Sequence, residues 1–157
     1  AVVEEVIKFL AAYLAAIRSR DADEPVDFVI YMVTTALGFS ALENSFFLAN
    51  LVGDGLVTQS IISGNMRFLG ATLLHTTTSA TVGAFMAMSF YKNRQNRKLA
   101  TGVGIMFAIA LHTVFNFFII NESTRVFFVF GVVWLFIVAL IFLFEKIKSI
   151  TPSGSSG

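Results

Sequence analysis

The residues able to do chemistry form a short set: Glu4, Glu5 and Lys8 in the pattern E-E-x-x-K, Glu43 in Leu37 to Asn44, His75 heading the run His-Thr-Thr-Thr-Ser-Ala-Thr, and His112 four residues before Asn116. Each is set in a stretch otherwise fit for lipid. A carboxylate at bilayer depth is costly enough that it normally faces a bundle interior, finds a partner and marks an ion path or a catalytic centre. Peptide hydrolysis needs an activated water, a proton donor for the leaving amine and positive character near the developing oxyanion. Glutamates and histidines supply these groups in two ways. In one, Glu43, His75 and His112 hold a zinc ion with one position open for water, and Glu4 or Glu5 is the general base. In the other there is no metal, a buried glutamate activates water directly, and His112 and Asn116 are the oxyanion donors.

Plainer readings stand beside these. Glu4 and Lys8 lie one helical turn apart and could simply neutralise each other; adjacent Glu4 and Glu5 point about 100° apart, so they cannot share one role. Glu43 could be a satisfied core carboxyl. Phe39, one turn before Glu43, reads as packing. Thr76 to Thr81 read as small hydroxyl residues that let helices approach closely. A proton- or cation-coupled transporter would also bury carboxylates and histidines, although the paired repeats and broken helices common in that class are not found here. An inactive membrane scaffold is the third class.

Composition fixes the setting. With 157 residues, mean hydropathy +0.79, 56% hydrophobic and 13% charged residues, the chain has too little polar surface for an ordinary soluble globule. No cysteine excludes a disulfide framework and a thiol nucleophile, and net charge +1 excludes an electrostatic case for nucleic acid. The expected fold is all-α: a polytopic bundle of five membrane helices at about 1–17, 26–51, 66–91, 99–120 and 126–144. Pro25 suits a helix start. Residues 52–65, rich in glycine, read as the longest loop, and 121–125 as a tight turn. Residues 1–150 form a single domain, and 151–157, Thr-Pro-Ser-Gly-Ser-Ser-Gly, read as a linker or expression scar. The chain opens within a helix and without Met, so residues before Ala1 are expected.

Alternating helices put Arg18, Arg20, Lys92, Arg94, Arg97, Lys98, Lys146 and Lys148 on one side and only Arg67 and Arg125 on the other, with Lys8 inside. The basic side is therefore cytoplasmic. At about 1.5 Å per residue from that side, Glu5 lies roughly 20 Å deep, Glu43 about 26 Å, His75 about 24 Å and His112 about 20 Å. Four helices thus bring ionisable groups to one layer in the outer half of the membrane.

Glu4-Glu5-x-x-Lys8, Gly38-Phe39-x-x-x-Glu43-Asn44, His75 and His112-x-x-x-Asn116, in this order over most of the chain, resemble the PrsW family of intramembrane proteases. They are more distantly similar to the CAAX prenyl endopeptidases and their bacterial relatives. The resemblance implies proteolysis of a membrane-anchored protein in a prokaryotic plasma membrane. Relatives cut an anti-sigma factor near its transmembrane segment on the outer side, which makes such a factor the candidate substrate. It also implies Glu4 as the base, oriented by Glu5 or Lys8. The CAAX branch has E-E-x-x-x-R and F-x-x-x-H; here the cation is Lys8, one position earlier, and helix two offers Glu43. That departure argues against prenylated substrates.

Overall fold

Pro25 has no N–H to leave unsatisfied and a φ preset for a helix, so it opens α2 (Pro25–Gly53). The start is closed by a reciprocal pair of caps, in which the Glu24 backbone N–H donates to Asp27 Oδ2 at 2.8 Å and the Glu24 side chain accepts from the N3 backbone. The computed structural model describes residues 1–54, 57–121 and 126–151. Among them the order is α1 (Val2–Ala12), a π turn (Tyr13–Ile17), α2, α3 (Val57–Met88), α4 (Arg94–Asn121) and α5 (Val126–Lys148), with no strand. Asn93 caps α4, its Oδ1 accepting the Asn96 N–H at 2.8 Å.

Two expectations change. The region 52–65 is mostly helix: α2 ends at Gly53 and α3 already begins at Val57. The break falls between Gly53 and Val57, whereas Gly64 alone within a long helix costs only about 1 kcal/mol. Of the five helices expected to cross the membrane, three among the described residues are long and apolar enough: Pro25–Gly53, Arg94–Phe118 and Phe130–Lys148. The described α1 has 11 residues and carries Glu4, Glu5 and Lys8. From Gly70 to Ala87, where its side chains are described, α3 is rich in hydroxyl and small residues and mostly buried. The turn 122–125, the tail from 152 and the side chains of Arg67 and Arg125 lie outside the described residues.

Helix α3 is the axis, packing on all four other helices. Thr77, Thr78, Ser79, Ala80, Val82 and Ala84 are all buried along it. Two hydroxyls here serve their own helix: Thr77 Oγ1 donates to the Leu73 carbonyl at 2.6 Å and Thr81 Oγ1 to that of Thr77 at 2.8 Å. Gly83 marks the closest approach to α2, since a Cβ there would lie 2.7 Å from the Phe28 carbonyl oxygen and 2.7 Å from Val29 Cα. Both obstacles are backbone and cannot rotate away. Gly83→Leu is therefore expected to destabilise the bundle by at least about 1–3 kcal/mol, read as a lower melting temperature in micelles; an unchanged melting temperature would contradict the contact. By contrast, α5 exposes Trp134, Leu135, Val138, Ile141 and Phe142, a surface suited to lipid. The chain is an integral membrane protein.

Candidate active site

Helix α1 reaches the bundle interior through Glu5 and Lys8, both almost fully buried. Lys8 Nζ donates to Glu5 Oε1 at 2.7 Å, to Thr78 Oγ1 at 3.1 Å and to His75 Nδ1 at 3.3 Å. An ammonium has three N–H donors, and all three are placed. The cation also sits 6.0 Å from the centre of the Phe39 ring. The one-turn Glu4–Lys8 pair considered from the sequence is thus replaced by Glu5–Lys8, because it is Glu5 that shares the buried face.

Glu5 Oε1 gathers three contacts: Lys8, Thr78 Oγ1 at 3.1 Å, and His112 Nδ1 at 2.6 Å. A neutral His112 donating from Nδ1 to Glu5 has its lone pair on Nε2. That nitrogen lies 3.4 Å from Glu4 Oε2. Among the described residues Glu5 Oε2 is buried with no hydrogen-bond partner, so the carboxylate is anchored there through one oxygen.

His75 is fixed from both sides. Lys8 can only donate, so Nδ1 accepts and Nε2 carries the proton, which it donates to Glu43 Oε2 at 2.9 Å. Phe39 packs edge-on against His75 with ring centres 5.3 Å apart, and His112 does so at 5.1 Å. Glu4 and Glu43 are the two carboxylates still in part exposed, at 35% and 31% of their side chains. The fully buried pair, Glu5 and Lys8, ties the group together, and Glu4 and Glu43 keep part of their surface accessible.

The structure thus brings Glu4, Glu5, Lys8, Glu43, His75 and His112 into one connected group from α1, α2, α3 and α4. Asn116 is half-buried one turn beyond His112 and makes no side-chain hydrogen bond among the described residues. Glu4, His75 and His112 each offer a ligand atom, and these atoms all lie within 4.8 Å of one another. This three-donor group uses Glu4, where the sequence argument used Glu43; Glu43 instead holds the Nε2 edge of His75. Two imidazoles and a carboxylate are a donor set suited to a catalytic metal; His75 would join it by giving up one of its two contacts, the Lys8 N–H at Nδ1 or its own N–H to Glu43 at Nε2. The Glu5–His112 contact is the carboxylate–histidine support that orients such ligands.

Thr78 was read from sequence as packing alone, yet it joins Lys8 to Glu5 and accepts a role in the site. Its position, three residues after His75 and therefore on the same helix face, is the signal that finds it. Asn44, in the same motif as Glu43, is buried and lies with Nδ2 3.4 Å from Ser40 Oγ, which bonds Thr72 Oγ1 at 2.9 Å. That chain ties α2 to α3 beside Glu43.

The family model for PrsW family intramembrane metalloproteases matches residues 1–143. The chain is 28% identical over 125 residues to Protease PrsW of Clostridioides difficile (strain 630), a match that covers 76% of this chain and 49% of that protein. It therefore spans about half the length of that relative. No solved structure matches. With the match running through every element that contributes to the buried group, the chain belongs to the PrsW family of intramembrane metalloproteases.

Proposed function

We propose that this protein hydrolyses a peptide bond in a membrane-anchored protein near the outer face of a prokaryotic plasma membrane. The observation that carries the reading is the Glu4, His75 and His112 group, gathered within 4.8 Å inside a membrane bundle. These residues would hold zinc, which supplies an acidified water and a Lewis acid for the scissile carbonyl.

The chain's own groups do the rest. Glu5 sets the His112 ring so that Nε2 faces Glu4, and Lys8 balances the buried charge of Glu5. Glu43, half-exposed against His75, is placed to take a proton from water and return it to the leaving amine. Glu4, the base implied by the family resemblance, becomes a ligand in this reading. The Asn116 amide is a donor available to the developing oxyanion. The outward orientation rests on the distance of the site from the basic helix ends, and a membrane-anchored anti-sigma factor is the substrate that the resemblance suggests.

Purified protein in vesicles, given a single-pass membrane reporter, tests this. Cleavage is expected at the reporter's outer end and should fall by at least about 100-fold in His112→Ala. A cut at the basic-loop end would overturn the orientation, and full activity in the variant would overturn the mechanism.

A further inference from the structure

At the opposite end of the bundle from Glu5 and His112, a cavity of about 480 Å³ opens where the π turn, α3 and the first turns of α4 meet. Arg18, Arg94, Arg97 and Lys98 line it, and buried Phe28 and Met86 contribute to its floor. No carboxylate is among the lining residues. Among the described residues, none of these four cations forms an ion pair with an acidic side chain. Two acids of the turn before α2 have partners of their own: Asp27 caps α2 and Asp21 accepts from Ser19 at 3.2 Å. Arg97 is steadied by two aromatic faces, its guanidinium carbon lying 6.0 Å from the Phe28 ring centre and 5.5 Å from that of Phe90.

Topology alone would place basic residues on this side of the membrane. It does not explain why two segments distant in sequence, the end of the π turn and the start of α4, direct them to one concavity with an apolar floor. Four positive groups above greasy walls, at the level where helices leave the bilayer, match one ligand chemistry: a phosphate diester joined to hydrocarbon. We propose that this cavity binds the headgroup of an anionic membrane phospholipid, with the phosphate among Arg18, Arg94, Arg97 and Lys98 and the start of the acyl chains over Phe28 and Met86. The apolar floor is what selects a lipid over free phosphate. Bound there, the lipid would bridge the end of α1 to α4, the two helices that bring Glu5 and His112 together.

Native mass spectrometry of the full chain, released from micelles containing equal amounts of phosphatidylglycerol and phosphatidylcholine with the same acyl chains, tests the site. Retained phosphatidylglycerol should exceed phosphatidylcholine by roughly 10-fold. The Arg94→Gln, Arg97→Gln double variant should bring the ratio close to parity, and Lys98→Gln alone should lower it. Lys146→Gln, Lys148→Gln removes the same charge from the same side outside the cavity and should leave the ratio unchanged. Parity in the wild type, an equal fall in both double variants, or displacement of the lipid by millimolar inorganic phosphate would each overturn the proposal.

Discussion

Lys8→Met is expected to destabilise the protein by about 3–5 kcal/mol, because it strands Glu5 as an uncompensated charge in the bundle interior. Lys8 and Glu5 are 0% and 1% exposed, at 2.7 Å, and methionine keeps the length and bulk of the stem while deleting all three donors. Glu5 would lose Lys8, and the Nδ1 of His75 and the hydroxyl of Thr78 would each lose the donor that serves them. Removing both charges should be milder than removing one, so Lys8→Met with Glu5→Gln should recover part of the loss; such coupling is the signature of a directly interacting pair. Denaturant midpoints of the two single variants and the double variant in micelles measure this. Purely additive losses, or a Lys8→Met midpoint equal to wild type, would show that the ion pair does not hold α1 in place.

Glu43→Gln is expected to lower kcat by about 100- to 10,000-fold, the usual range for removing a general acid–base group. The substitution keeps size and keeps an oxygen able to accept from His75 Nε2, which Glu43 engages at 2.9 Å. It removes only the ability to take a proton. Stability and metal content should therefore stay close to wild type while turnover collapses. Turnover near the wild-type value would remove Glu43 from the proton path, and loss of metal with it would make Glu43 a ligand, as the sequence pattern first suggested.

The site was more legible in the sequence than the membrane architecture. A fixed rise per residue places Glu5, Glu43, His75 and His112 in one layer, and the structure joins these groups by contacts of 2.6 Å between His112 and Glu5 and 2.9 Å between His75 and Glu43. Which carboxylate meets which imidazole was not legible. Neighbouring positions on a helix differ by about 100°, so exchanging Glu4 and Glu5 requires only a rotation of α1 that no periodicity fixes. Thr78 was missed because a run of hydroxyl residues looks uniform, although only one of its members lies beside Lys8. Among the described residues only three of the five helices are long and apolar enough to be spans by composition, because hydrophobicity registers burial in protein and in lipid alike. For α3 the surroundings are mostly other helices. Glycines at 53, 55 and 64 suggest one long loop over 52–65, whereas the helix resumes at Val57 and carries Gly64 within it.

Elemental mass spectrometry of the purified protein addresses the metal centre most directly. Wild type should carry about one zinc ion per chain. Glu4→Ala and the His75→Ala, His112→Ala double variant should carry almost none, and Glu43→Gln should keep it. Zinc retained without the two histidines, or a wild type that is active and free of metal, would contradict a metal centre built on Glu4, His75 and His112.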